Sequence, residues 1–237
     1  MTGAPAVEVR GLTRRYQALR PLRIAALEIA PGERVSIGGI DAGAGELIVN
    51  LLTGASLPDS GEVRVFGRST TEITEGNEWL SWLERFGIVS ARAVLLEDAT
   101  LEQNLAMPYT LEIDPVPAEV AARVRDLAER CGIAVERWLS TRTAGLPADV
   151  RVRAHLARAL ALAPRLVLVE HPTAEVPHAA RQLLAADIAR ACDVERITAI
   201  VLTNDDEFAR VVATRNLKLD GATGALKPLR RGWFSRR

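Results

Sequence analysis

The chain is predicted to fold as an α/β protein, a mainly parallel sheet preceded by an antiparallel β layer and interrupted by a helical segment. Three features predict this. The strand-like stretch at 34–37 and the apolar runs at 166–169 and 198–203 adjoin segments of helical length, the alternation that produces a parallel sheet. Residues 7–9 and 22–29 alternate apolar and polar side chains, as half-buried strands do, and turn residues punctuate both. Residues 38–45 form a glycine-rich loop between a strand and a helix.

In chain order, the alternating strands come first and form the antiparallel layer. The strand at 34–37 runs through the glycine loop into residues 46–52, whose length and apolarity suit a buried helix. Pro58, Asp59, Ser60 and Gly61 signal a turn before another alternating strand at 62–66. Between Pro115 and Leu139 apolar residues recur at helical spacing, with Val120, Val124, Leu127 and Ala128 on one face. A further helix is expected over about 148–162, bracketed by Pro147 at its start and Pro164 beyond its end. A helix covering 179–191 then connects the strands at 166–169 and 198–203. No linker rich in Pro, Gly or Ser separates independent units, so the helical middle reads as an insertion within one domain.

Composition narrows the function. Thirty basic and thirty acidic residues cancel, so no global field draws the chain to nucleic acid or an anionic membrane, and any charge-based role must be local. Cys131 and Cys192 have no metal-type spacing and read as two buried thiols. Trp79, Trp82 and Trp138 read as packing residues. No apolar run is long enough to span a bilayer and the first residues lack a signal-peptide pattern, which leads us to expect a cytosolic protein that meets the membrane through a partner.

Several strings occur in order along the chain: Pro31-Gly32-Glu33-Arg34-Val35, Asn50-Leu51-Leu52-Thr53-Gly54, Pro58-Asp59-Ser60-Gly61-Glu62-Val63, Leu156-Ala157-Arg158-Ala159-Leu160-Ala161 and Pro172-Thr173-Ala174. Together they resemble the ATP-binding subunit of an ABC transporter, from about Val7 to Asp220. The resemblance implies a P-loop NTPase-like ABC ATPase fold, with residues 1–237 as one nucleotide-binding-like domain and a helical subdomain at about 98–160. It also implies ATP and Mg²⁺ as cofactors, a transmembrane permease as partner, and pairing with a second ATPase subunit as a homodimer or heterodimer.

At the motifs that carry chemistry, the chain departs from the family. A phosphate loop works because its glycines let backbone N–H groups converge on the anion at a helix N-terminus, while a Lys reaches the phosphates and a Ser or Thr hydroxyl holds Mg²⁺. With Gly39 as the first glycine, Asp41 and Gly43 fall within the loop, Ala44 replaces the last glycine, Gly45 takes the Lys position and Glu46 the hydroxyl position. Moving the frame by one residue puts Glu46 at the Lys position and Leu47 at the hydroxyl. Either frame loses the cation and adds a carboxylate, which satisfies the helix end itself and repels a triphosphate. The chain's two lysines, Lys218 and Lys227, are both near its end, and nothing in the sequence points to an arginine that compensates.

The other motif positions change in the same direction. Glu170 and His171 stand where the family has the Mg²⁺-binding Asp and the water-polarising Glu; Glu170 keeps the charge, and His171 carries an imidazole able to accept a proton. Ala91 corresponds to the Gln that senses Mg²⁺ and the permease, and Asn204 to the His that contacts the γ-phosphate. In the signature loop Leu146 matches, while Pro147, Ala148 and Asp149 replace the Ser and two Gly residues, so the loop is expected to present a negative charge. Pro177 replaces the D-loop aspartate, and Tyr16 stands where an aromatic stacks on adenine. One lost donor or base commonly costs on the order of a hundredfold in rate. Several together predict a pseudo-ATPase that acts through its surfaces.

Two local features remain. The segment at 101–108 resembles the corresponding string of subfamilies that move lipids or lipoproteins in bacterial envelopes, and arginine in place of nearly all lysine suggests a bacterial source. The C-terminal tail carries Lys227, Arg230, Arg231, Trp233, Phe234, Arg236 and Arg237, a group suited to contact with anionic headgroups. The leading reading is thus a non-catalytic ABC subunit, cytoplasmic and peripheral on the inner face of the membrane. Its rivals are an ATPase with an atypical site that uses Glu170, His171 and a borrowed arginine, and a soluble nucleotide or metabolite sensor beside Tyr16.

Overall fold

A computed structural model describes residues 4–16 and 21–229. Strands β1 (Val7–Arg14) and β2 (Leu22–Ile29) pair antiparallel, and β3 (Arg34–Gly38) leads into α1 (Ala42–Thr53). Then come β4 (Ser60–Val65), β5 (Arg68–Ser69), α2 (Gly76–Leu83) and β6 (Phe86–Val89). The helical segment holds α3 (Leu101–Ala106), α4 (Ala118–Arg130), α5 (Val135–Trp138) and α6 (Ala148–Leu160). The chain finishes with β7 (Leu166–Glu170), α7 (His178–Val194), β8 (Thr198–Leu202), α8 (Asp206–Val212), β9 (Arg215–Leu219) and β10 (Leu226–Pro228).

The strands form two sheets. One is antiparallel, in the order β2-β1-β4-β5; the other has the order β10-β9-β3-β8-β7-β6 and is parallel except for β10 at its edge. Every residue of β7 and β8 is buried, because layers cover both faces of the parallel sheet. Leu166 and Leu168 of β7 join the core formed with α1 and the antiparallel layer, while Val167 and Val169 join a second core with α4, α6, α7 and α8.

Periodicity in the sequence located these elements well. In α4 the buried residues are Val120, Val124, Leu127 and Ala128, the face read from the sequence. Helix α6 starts directly after Pro147 and ends before Pro164. Trp82 is buried in an edge-to-face cluster with Phe66 and Phe86, and the Trp79 indole donates to the Thr53 carbonyl. Cys131 and Cys192 are free and buried, and burial pushes their thiols up to about 12 and about 11. No helix among the described residues is long and apolar enough to cross a membrane.

Register brings the chemistry-bearing residues together. In the parallel ladder Ile37 lies opposite Leu202, and Leu202 opposite Glu170, so β3, β8 and β7 end side by side. The loops leaving those ends carry the glycine-rich segment, Asn204 and His171, at the strand ends where open α/β sheets place their ligands.

A buried charge cluster fastens the helical segment to the sheet-covering helices. The Arg153 guanidinium on α6, only 3% exposed, donates to the Asp187 carboxylate of α7 at 2.7 and 2.9 Å and to the Asp149 carboxylate at 2.7 Å; Arg190 donates to the other Asp187 oxygen at 2.6 Å. Asp149 is thereby drawn to Arg153, which corrects the expectation of a negatively charged signature loop: its charge is paired at the start of α6. Breaking a buried pair by removing one partner leaves the other charge without compensation. Asp187→Ala is therefore expected to destabilise the fold by about 3 to 5 kcal/mol, read as a lower urea midpoint, whereas Arg151→Ala at an exposed pair should change it by about 1 kcal/mol or less.

Candidate functional site

The glycine loop reaches its helix earlier than the sequence suggested. Helix α1 begins at Ala42, so Gly43, Ala44, Gly45 and Glu46 are helical, and the turn itself is Gly39-Ile40-Asp41. Gly39 has φ +76°, and a Cβ there would meet the Leu219 carbonyl oxygen at 2.6 Å, which explains the need for glycine. Asp41 caps the helix, its carboxylate accepting the Ala44 N–H at 2.8 Å. Glu46 was expected to satisfy the helix end; Asp41 does so instead, because Glu46 lies beyond the first turn and points elsewhere. The position that favours a bound anion, the positive end of α1, thus holds the protein's own carboxylate.

Side chains from other loops engage the same turn. The Asn204 amide oxygen accepts the N–H groups of Gly39 at 2.7 Å and Ile40 at 3.3 Å, and its NH₂ donates to the Ile40 carbonyl at 2.8 Å. The Tyr16 hydroxyl donates to Asp41 at 3.2 Å, and its pKa is raised by burial and then by the Asp41 charge. His171 has φ +44°, a left-handed backbone uncommon for a side-chain-bearing residue. Its N–H donates to the Leu202 carbonyl at 2.9 Å and its Nε2 lies 3.3 Å from the Asp41 carbonyl oxygen. The imidazole fills the space in front of Gly45: a Cβ on that residue would sit 2.9 Å from Nε2.

The cation missing from the loop comes from the segment after β6. Arg92, next to Ala91, places Nη1 2.7 Å from the Glu46 carboxylate and Nη2 2.7 Å from Glu170. Arg92 and Glu46 are half-exposed, while the Glu170 side chain is 7% exposed, so the two pairs are unequal. An ion pair screened by water contributes little, but a buried carboxylate depends on its partner. The sequence reading missed Arg92: an arginine beside the altered Ala91 position was the available signal, but its partners are remote in sequence.

Beside this triad lies a cleft of about 350 Å³ between the segment that includes Ala91, Val94 and Leu95, helix α6 and the turn after β7. His155 of α6 lines it, 8% exposed, with Nδ1 buried and lacking a hydrogen-bond partner. Burial, reinforced by Arg158 and Arg151, depresses its pKa to about 4. Elsewhere, Leu146 is buried just before Pro147, Ala148 begins α6, and Pro177 directly precedes α7. No group of His, Cys, Asp and Glu suited to a metal ion occurs among the described residues. Lys227 pairs with Asp220 at 2.9 Å; Arg230, Arg231, Trp233, Phe234, Arg236 and Arg237 lie outside the described residues.

A glycine turn that starts a helix at the end of a parallel strand, flanked by loops from two neighbouring strand ends, defines the class of phosphate-loop α/β proteins. Within that class, the chain belongs to the ABC transporter family, whose model matches residues 22–174. It is 31% identical over 196 residues to the lipoprotein-releasing system ATP-binding protein LolD of Pseudomonas syringae pv. tomato, covering 82% of this chain and 84% of that relative. It is 30% identical over 213 residues to the sulfate/thiosulfate import ATP-binding protein CysA of Bordetella parapertussis, covering 88% of this chain but 58% of the relative. The chain therefore spans little more than half of that protein, and 34% of a macrolide export ATP-binding/permease protein, MacB 1/2 of Paracoccus denitrificans, at 30% identity and 94% coverage of this chain. Among solved structures it resembles the dimeric ATP-binding cassette MJ0796 in a post-hydrolysis state bound to ADP and Pi, with TM-score 0.73 and 21% identity over 95% of this chain and 100% of that one. It also resembles cbiO1 of Clostridium perfringens, part of an ABC transporter complex, with TM-score 0.77 and 19% identity over 94% and 87%. These structures establish the ABC cassette fold.

The buried imidazole yields a pH prediction. Its folded pKa of about 4 lies below the ordinary value of about 6.5, so between these values the unfolded chain binds more protons than the folded one. Stability is therefore retained above about pH 6.5 and falls as pH drops toward about 4, by up to roughly 3 kcal/mol from this group. In urea titrations across that window, His155→Leu should flatten the decline.

Proposed function

We propose that this chain is a pseudo-ATPase ABC subunit, a structural or regulatory component of a bacterial membrane transport complex, which works by binding partners. The observation that carries the reading is occupation of the phosphate-binding turn by the protein's own groups. Asp41 sits at the positive end of α1, Asn204 takes the N–H groups of Gly39 and Ile40, and His171 stands where a side chain on residue 45 would leave the helix. A Mg²⁺-triphosphate does not fit this donor set: the Lys position is a glycine with blocked space, and the hydroxyl position is a glutamate already paired with Arg92. Charge works in the same direction, since Asp41, Glu46 and Glu170 set three carboxylates against the Arg92 guanidinium.

The expected partners are a permease and a second ATPase subunit, which would hold the chain at the cytoplasmic face of the membrane. The likeness to LolD and the string at 101–108 favour a lipid- or lipoprotein-related cargo. One observation favours the rival reading of an atypical ATPase: Arg92 supplies a cation beside Glu170. Both its terminal nitrogens are taken by carboxylates, which leaves it little attraction for phosphate.

The reading predicts that the tagged chain, isolated from detergent-solubilised membranes of its own cell, brings a permease and an intact ABC ATPase with it. Purified alone, it should release phosphate from MgATP at the buffer's background rate. Phosphate release that Glu170→Gln abolishes would contradict the proposal.

A further inference from the structure

We infer that Arg92 is a built-in counter-ion that latches the segment 90–97 onto helix α1 and the end of β7, beside the phosphate-binding turn, and holds that segment in one position regardless of nucleotide. The inference deepens the pseudo-ATPase reading and rests on it for its biological meaning, but its geometry stands separately.

The segment is a strap between β6 and α3, fastened along its length by side chains. At its far end the Asn104 amide, fully buried, accepts the Leu96 N–H at 2.8 Å and donates to the Leu96 carbonyl at 3.0 Å; the Thr143 hydroxyl donates to the same carbonyl at 2.7 Å. In the middle, Arg158 of α6 donates to the Val94 carbonyl. At the near end the backbone contributes only a tight turn, with the Ala93 N–H donating to the Ser90 carbonyl at 3.1 Å and the Arg92 N–H to the Ser90 hydroxyl at 3.2 Å. These bonds fold the strap on itself just beyond the end of β6. Arg92 adds the side-chain ties that hold this fold in place, reaching Glu46 on α1 and Glu170 at the end of β7.

The two carboxylates play different parts. Glu170 is buried and Arg92 is its charge partner, so releasing the strap would leave that carboxylate uncompensated; this opposes opening. Glu46 is half-exposed and adds less. It still fixes direction, since with both nitrogens engaged the guanidinium plane is held in one orientation, as a forked donor allows. The strap's near end is therefore seated by groups that are always present. A subunit built this way offers its strap to a partner in a constant position.

Hydrogen exchange of peptides covering 90–95, on the full chain, tests this. Arg92→Gln should speed exchange there by about tenfold or more, the loss of a charge-assisted bond to a buried carboxylate. Glu46→Gln should give a smaller increase, and Arg92→Lys an intermediate one. Peptides covering 98–104, held by Asn104, should not change in any variant, which reports that each is folded. MgATP should leave the strap of the natural chain unchanged. Equal exchange in Arg92→Gln and the natural chain, or a change in the strap on adding MgATP, would overturn the latch. Phosphate release measured on the same samples separates the two proposals: hydrolysis of ATP with no effect on the strap would end the pseudo-ATPase reading and leave the latch standing.

Discussion

Glu170 ends a strand that is buried along its whole length, and a carboxylate in that position requires a cation. Arg92 meets the requirement. To do so it must arrive from the segment after β6, which is possible because β6 is the neighbour of β7 in the sheet. The same guanidinium reaches α1 through Glu46, so one side chain joins the end of a central strand, the helix after the glycine turn and the strap that leads into the helical segment. Removing it would leave a buried charge unpaired and free the start of that strap.

Around this contact, the N–H groups of Gly39, Ile40, Ala44 and Gly45 in and after the glycine turn are engaged by the protein's own groups. The backbone retains the form such loops need, including the left-handed Gly39 and a helix directed at the site. The Asp41 cap takes the Ala44 N–H, the Asn204 amide takes those of Gly39 and Ile40, and His171 takes the space ahead of Gly45. Each is a short contact made by residues on three adjacent strand ends, so the sheet register that would assemble a nucleotide site here assembles its internal substitute. The buried Arg153–Asp187 pair does comparable work at a distance, tying α6 to α7 and drawing in the Asp149 charge.

Much of the fold was legible because its signals are periodic and local. The apolar face of α4, the limits of α6 set by two prolines, and the buried runs of β7 and β8 all follow from patterns within a few residues. The short strand β9 and the edge strand β10 carry no such pattern and were not singled out. The site was legible as a set of altered positions, since Glu46, Glu170, His171 and Asn204 stand at fixed places in recognisable strings. Their contacts were not. Arg92 and Glu46 meet only through the sheet, and the grip of Asn204 on Gly39 and Ile40 depends on β3 and β8 being neighbours. The start of α1 was placed late because Gly43 and Gly45 read as loop residues, whereas the Asp41 cap carries the helix back through both.

Isothermal titration of the natural chain with MgATP, beside a Glu46→Lys variant, tests the central claim most directly. The account predicts no saturable heat at millimolar nucleotide for the natural chain or for the variant, because Asp41, Asn204 and His171 hold the turn in both. Saturable binding by the natural chain with a micromolar Kd would contradict the account, because Asp41, Asn204 and His171 would then have to leave the positions in which they engage the turn.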